Sequence, residues 1–316
     1  MGESEPSRAD RPLAVLGPTA SGKSALALAL VERLAAAGET AELVSVDSMQ
    51  VYVGMDVGTA SPTTAERSAV PHHLVDIVSP TEEFTVGEFQ QRARAAIADI
   101  RARGAIPILV GGTGLYLRAV IDDLEIPGRF PEVVAELEAE TDTGRLHDRL
   151  VALDPVAAAR MEPTNRRRVL RALEVTIGSG RPFSSFGPGL DVHPPTPFVQ
   201  VALRWSRPIL DERIAARYER QMAAGFLDEV VALRAMGPAR TAAQALGYRE
   251  LLAHLDGECT LADALETAVA RTRRFARRQE RWFRRDPRVS WIDAPPDPGI
   301  VLTLWDDAVA SQTPAR

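Results

Sequence analysis

Leu13-Ala14-Val15-Leu16-Gly17-Pro18-Thr19-Ala20-Ser21-Gly22-Lys23-Ser24 decides the fold. Its first four residues are apolar without alternation, the pattern of a short strand buried on both faces. The next eight match G-x-x-x-x-G-K-[ST], a loop that cradles phosphate when it joins a strand to a helix. The alanine- and leucine-rich run from Ser24 to Ala37, stopped by Gly38, supplies that helix. Glycines let backbone N–H groups curl around phosphate oxygens, and the helix N-terminus adds partial positive charge. Lys23 brings a mobile cation to the outer phosphate, and the Ser24 hydroxyl is a ligand for Mg²⁺.

Composition singles out the same place. Of 37 basic side chains, Lys23 is the only lysine, every other cation being arginine. A GC-rich coding sequence favours arginine in this way, and the one lysine that remains lies inside the phosphate motif. The 316 residues suffice for one large domain or two modest ones, and 45% hydrophobic with 25% charged residues is globular composition. A net charge of −6 excludes a polycation, so nucleic acid would have to meet a local basic surface. The single cysteine, Cys259, forms no internal disulfide and fits a reducing compartment. Met1 to Pro12 has no apolar stretch of signal-peptide length, and Pro6 spoils a myristoylation pattern at Gly2. No run nears the ~18 apolar residues that span a bilayer. The expectation is a cytoplasmic protein without a membrane segment.

Further strands are expected over Glu42–Val46 and Ile106–Val110, the second after a helix over Val86–Arg103. Strands alternating with helices predict a parallel α/β sheet. From residue 126 the chain reads as helix after helix, with Asp154-Pro155 opening one and Asn165 capping another that closes near Gly178. Pro182–Pro197 reads as a loop, and Phe198–Leu203 resumes the sheet. Helices follow over Pro208–Ala224, Leu227–Met236, Thr241–Leu255 and Leu261–Arg285, then a last strand over Val289–Ile292. The fold class is therefore α/β: a P-loop-type parallel sheet core (11–125 and 199–293) flanked by helices, with an all-helical insertion domain at 126–198. The proline-rich tail, 294–316, is expected to be loosely held.

A nucleotide hydrolase usually places an aspartate after a second hydrophobic strand to orient Mg²⁺. Here Ile106–Val110 runs into Gly111-Gly112-Thr113 instead. Asp47, after the other strand, faces the loop from a strand's carboxyl end, as a metal ligand, a general base or a cap on the next turn. Between Arg271 and Arg288 lie nine arginines opposed only by Glu280 and Asp286, a local charge of about +7. Leu265, Val269, Phe275, Trp282 and Phe283 are expected as that helix's buried stripe. A dense arginine face favours contact with a phosphate backbone, since each neutralised phosphate releases counterion. Arg166-Arg167-Arg168 with Arg171 forms a second basic cluster. His72 and His73 read as structural, and no histidine–cysteine spacing suggests zinc.

Taken together, these residues resemble one family, the bacterial tRNA dimethylallyltransferases or tRNA isopentenyltransferases, over about residues 13–292. The resemblance rests on Gly17–Ser24, Val46-Asp47-Ser48-Met49-Gln50-Val51-Tyr52, Gly54-Met55-Asp56-Val57-Gly58-Thr59-Ala60 and Pro71-His72-His73-Leu74-Val75-Asp76. It continues through Gly111-Gly112-Thr113, Arg171-Ala172-Leu173-Glu174-Val175, Gly247-Tyr248 and Arg277-Arg278-Gln279. It implies transfer of a dimethylallyl group from dimethylallyl diphosphate to the exocyclic amine of adenosine 37 in the anticodon stem-loop of tRNA. The two substrates would enter a channel from opposite ends, within a monomer. On this chain the resemblance makes Gly17, Pro18, Thr19, Ala20, Ser21, Gly22, Lys23 and Ser24 the diphosphate site, with Arg217 assisting. Asp47 becomes the base for the amine, and Thr113 a channel contact. Asp47, Ser48, Met49, Gln50 and Thr113, with Arg167, Arg168, Val169, Leu170 and Arg171, become tRNA contacts, and Ser24 the Mg²⁺ ligand. Gln244 and Val134 stand where some relatives carry arginine, so no contact is carried over to either. The competing readings are an ATP-dependent small-molecule kinase using the helical insertion as a lid, and an RNA-binding module with a vestigial loop.

Overall fold

The computed structural model describes residues 7–311. The Gly2–Pro6 pattern and tail residues 312–316 lie outside them. The chain divides into two compact units, one of residues 1–121 with 195–316 and one of Asp122–Pro194. The helical unit thus begins and ends a few residues earlier than the expected 126–198.

The first unit holds strands β1 (Leu13–Leu16), β2 (Ala41–Val46), β3 (His72–His73), β4 (Ile106–Gly111), β5 (Val199–Arg204) and β6 (Val289–Asp293). They form one sheet in the order β3-β2-β4-β1-β5-β6, and every pairing is parallel. Parallel neighbours need crossovers. These come from α1 (Lys23–Ala36), α2 (Asp56–Thr59), α3 (Thr64–Ala69), α4 (Val86–Ala102) and α5 (Gly114–Ile121) before the insertion. The central strand explains its own apolar run. Leu13 and Val15 pack with Leu26, Leu30 and Leu34 of α1 on one face, while Ala14 and Leu16 meet Phe89, Ile100 and Leu117 on the other. Covered on both sides, β1 has no reason to alternate.

The second unit comprises α6 (Pro131–Glu138), α7 (Thr143–Leu153), α8 (Pro155–Ala159) and α9 (Arg166–Ser179), around Leu137, Leu146, Leu150, Val169, Ala172 and Leu173. Asp154 caps α8, accepting from the Ala157 N–H at 3.0 Å. Asn165 caps α9 through the Arg168 N–H at 3.3 Å. Both caps stand where the sequence predicts them.

After β5 come α10 (Arg207–Ala223), α11 (Phe226–Met236), α12 (Arg240–Ala243), α13 (Tyr248–Leu255), α14 (Leu261–Arg284) and, beyond β6, α15 (Pro298–Ala310). Three expectations are corrected. The single helix over Thr241–Leu255 is broken at Gly247, whose φ of 86° stops a right-handed helix. The buried stripe of α14 is Ala264, Ala268, Thr272, Ala276, Gln279 and Phe283, while Leu265, Val269, Phe275 and Trp282 are only partly buried. Small residues let α14 lie close, and the larger ones flank the seam. The described part of the tail is not loose. Asp297 caps α15 by accepting from the Gly299 N–H at 2.8 Å, Val301 and Trp305 are fully buried, and the indole of Trp305 donates to the Arg11 carbonyl at 2.7 Å.

Candidate functional site

The phosphate loop leaves β1 at Gly17 and enters α1 at Lys23. Against it opens a cavity of about 500 Å³ whose walls include Thr19, Lys23, Ser24, Asp47, Gln50, Arg213, Arg217 and Gln279. It lies beside the carboxyl ends of β2 and β4, where open parallel sheets bind ligands. Lys23 Nζ donates to the Pro18 carbonyl at 2.8 Å. Burial pushes its ammonium down to about 8, with Arg217 pushing the same way and Asp47 opposing. Arg217 donates to Thr19 Oγ1 at 3.0 Å and to the Gly58 carbonyl at 3.3 Å. Its guanidinium is also lowered by burial, against the pull of Tyr218 and Asp47, yet an arginine keeps its charge. Arg213 donates to the Ala20 carbonyl at 2.8 Å and lies 4.5 Å from the Trp205 ring. The Trp205 indole in turn donates to the Ser21 carbonyl at 2.9 Å. Three loop carbonyls that would repel an anion are thereby each held by a donor. Ser21 Oγ, fully buried, has no hydrogen-bond partner among the described residues.

Across the cavity, Asp47 follows the last residue of β2. Its Oδ1 accepts from the Met49 N–H at 2.9 Å, so it caps a turn while its carboxylate lines the cavity. Thr113 is tied to that turn: its hydroxyl accepts from the Ser48 N–H at 3.3 Å, and its own N–H donates to the Val46 carbonyl at 3.4 Å. Gln50 lines the cavity, accepts from Ser45 Oγ at 2.7 Å and donates to the Ala60 carbonyl at 3.1 Å. Met49 packs partly into the core. His72 lines the cavity wall with Nδ1 2.7 Å from the Val70 carbonyl, and His73 is 2.6 Å from Glu42. Among the described residues no group of three or more His, Cys, Asp or Glu side chains could hold a metal by itself.

The arginine-rich segments divide into structural and exposed members. In the helical unit Arg167 and Arg168 are exposed, Leu170 is half-buried and Val169 is fully buried. Val169 therefore belongs to the unit's core and presents no surface, so the contact expected at this residue is corrected to a packing role. Arg171 pairs with Glu174 at 2.8 Å and donates to the Pro127 and Gly128 carbonyls at 2.8 and 3.0 Å. On α14, Arg271 pairs with the buried Glu250 at 2.6 Å, Arg273 donates to the Asp211 carbonyl at 3.2 Å, and Arg288 pairs with Asp286 at 2.6 Å. Arg274, Arg277, Arg278, Arg281 and Arg285 are exposed and have no acidic partner among the described residues.

Residue-by-residue reading missed several groups. Arg213 lies four residues before Arg217 on α10, the spacing that puts two side chains on one helix face. That repeat was the available signal. Glu229 left none: its carboxylate accepts from the N–H groups of Asp56, Val57 and Gly58 at 2.8, 2.7 and 3.0 Å and from the Tyr248 hydroxyl at 2.5 Å. Burial, and then Glu229, push the Tyr248 hydroxyl up, so it remains a donor. Gln221 donates to the Val57 and Gly58 carbonyls at 2.7 and 2.8 Å. The Gly54–Ala60 and Gly247-Tyr248 strings thus meet in one assembly under the carbonyl that anchors Arg217. Gln244 accepts from Arg249 at 3.1 Å and is not part of the cavity wall.

Fold and cavity define a phosphate-loop α/β protein whose cavity carries half-buried cations, Lys23 and Arg217, and the carboxylate of Asp47. The sequence profile of the IPP transferase family matches residues 50–286. The chain is 52% identical over 290 residues to the tRNA dimethylallyltransferase of Thermobifida fusca, covering 90% of each. It is 50% identical over 289 residues to that of Streptomyces coelicolor, again covering 90% of each. Among solved structures, the tRNA isopentenylpyrophosphate transferase of Bacillus halodurans superimposes with a TM-score of 0.69 at 36% identity, covering 96% of this chain and 99% of that one. A eukaryotic dimethylallyltransferase acting on tRNA matches with a TM-score of 0.75 at 27% identity, covering 95% and 77%. The chain belongs to the IPP transferase family, and it is a transferase.

Proposed function

We propose that the protein transfers a dimethylallyl group from dimethylallyl diphosphate to the exocyclic amine of adenosine 37 in tRNA, releasing diphosphate. One observation carries the reading: a single cavity is lined by the phosphate loop, Lys23 and Arg217 together with Asp47. An allylic diphosphate ionises when its leaving group is stabilised, because the carbon cation is delocalised. The loop N–H groups, Lys23 and Arg217 stabilise the negative charge that develops as the C–O bond breaks. The adenine amine is a poor nucleophile, so as its nitrogen bonds the allylic carbon, Asp47 accepts its proton. An adenine in a loop leaves its stack at a cost of only a few kcal/mol.

The Ser24 hydroxyl and the Asp47 carboxylate line the cavity, and among the described residues no cluster of three or more acidic, histidine or cysteine side chains stands there to enclose a metal. That sparse oxygen set fits Mg²⁺, which takes its remaining ligands from water and substrate phosphates. Ser24 would hold the ion, which when bound neutralises diphosphate charge. Each unit by itself offers exposed arginines to a tRNA backbone, Arg167 and Arg168 on the helical one and the exposed face of α14 on the other. Ser48, Met49, Gln50 and Thr113 stand at the Asp47 turn, where the acceptor adenine would bind. Leu170 and Val169 hold that arginine pair in place by packing, and Arg171 acts through its clamp on Pro127 and Gly128. Every group needed lies in one chain, which suits a monomer. Among the described residues no helix is long and apolar enough to cross a membrane, and a tRNA acceptor places the reaction in the cytoplasm. The test is incubation with unmodified tRNA, Mg²⁺ and dimethylallyl diphosphate, followed by nucleoside digestion. A nucleoside heavier by one isoprenoid unit is expected; unchanged nucleosides would end the reading.

A further inference from the structure

The absence of an aspartate at the end of β4 has a structural counterpart on α14. Gln279 is 7% exposed and lies in the cavity wall. Its Oε1 accepts from the Thr19 N–H at 2.9 Å, and its Nε2 donates to the Gly112 carbonyl at 2.9 Å. One amide therefore bridges the phosphate loop and the loop after β4. Two glycines that face α14, Gly112 in that loop and Gly114 at the start of α5, leave room for it. A Cβ on Gly112 would lie 2.3 Å from Gln279 Nε2, and a Cβ on Gly114 would lie 2.1 Å from Trp282 Nε1. The next residue along, Thr113, holds the Ser48 N–H at 3.3 Å in the turn that Asp47 caps.

We propose that Gln279 is a positioning residue that straps the diphosphate cradle to the acceptor side of the cavity. Its amide fixes the Thr19 segment, and with it the Thr19 hydroxyl on which Arg217 rests, relative to the Gly112–Thr113 segment that braces the Asp47 turn. Glycine suits the position after β4 because the Gln279 side chain of α14 fills the space that a side chain would take. Glutamine suits the position because one side of the strap needs an acceptor and the other a donor. The inference rests on the reading of the cavity as the prenyl diphosphate site.

Two variants test it. Gln279→Met keeps the length and loses both hydrogen bonds. Gln279→Glu keeps the acceptor for Thr19 and turns the donor toward Gly112 into a second acceptor. Dimethylallyl diphosphate binding is measured by calorimetry without tRNA, and transfer by steady-state kinetics, after thermal melts identify the folded variants. Losing a buried hydrogen-bond pair weakens diphosphate binding about 5- to 50-fold and lowers kcat by a similar factor, with KM for tRNA within about twofold. A purely structural role would lower the melting temperature and leave this split absent. Diphosphate binding and kcat both within about threefold of wild type, in whichever variant folds, would overturn the strap. Wild-type protein that binds the diphosphate without transferring it would instead overturn the function and leave the strap to be judged on binding alone.

Discussion

Cations appear in two settings in this molecule, and they behave differently. Lys23 and Arg217 stand inside the cavity wall, where burial lowers both. Arg274, Arg277, Arg278, Arg281 and Arg285 stand in solvent on α14. In the cavity each charge has a fixed partner: Lys23 the Pro18 carbonyl, Arg217 the Thr19 hydroxyl and Gly58 carbonyl. A pre-arranged, desolvated cation stabilises charge where it develops. A surface cation acts through the salt-screened field and adds to its neighbours in small steps. Removing one cavity group should therefore be severe and specific, and removing one surface arginine mild and salt-dependent.

Substitutions can break or sharpen that contrast. Asp47→Ala, which removes the carboxylate that acts on Lys23 and Arg217, is expected to lower turnover ~10²–10⁴-fold, with tRNA binding in a filter assay little changed. Lys23→Ala should weaken dimethylallyl diphosphate binding ~10- to 150-fold, the range of a charge-assisted hydrogen bond. Wild-type binding should also depend on pH. With Lys23 lowered to about 8 in the free protein and raised by the bound anion, binding takes up a proton above that pH. Affinity is then level below about 8 and falls by up to about tenfold per pH unit above it. The fall should vanish in Lys23→Arg. Arg271→Ala, on the same helix as the exposed arginines, should lower unfolding stability by ~1–3 kcal/mol, because buried Glu250 loses a partner. Arg281→Ala should leave stability unchanged, weaken tRNA binding only a few-fold, and reduce the salt slope by about 1.

The sheet was legible because period and punctuation agreed. An apolar run ending in Gly17, a helix start at Lys23 and a stop at Gly38 are local signals, and β1, α1, β2, β4 and β5 lie where those signals put them. The tail is hard to read from sequence for the opposite reason. Asp297-Pro298 carries the same cap-then-proline signal as Asp154-Pro155, but Pro295 and Pro296 just before it give the segment the composition of a loop. Only burial of Trp305 reveals the docked helix. The phosphate loop and Asp47 are legible from the loop motif and the end of a strand, and the family strings agree with both. They did not reveal what Gly54–Ala60 or Gly247-Tyr248 do, because Glu229 joins them across more than a hundred residues of sequence. Gln279 was visible only as a letter after two arginines. Hydrogen bonds between distant segments leave no periodic trace.

The most direct test of the central claim is to count products in one reaction. Protein, unmodified tRNA and dimethylallyl diphosphate should yield one diphosphate for each isoprenoid group gained by the tRNA, with both signals falling together in Lys23→Ala. Orthophosphate released from ATP in an acceptor-dependent manner, or isoprenoid transfer that persists unchanged in Lys23→Ala, would contradict the account.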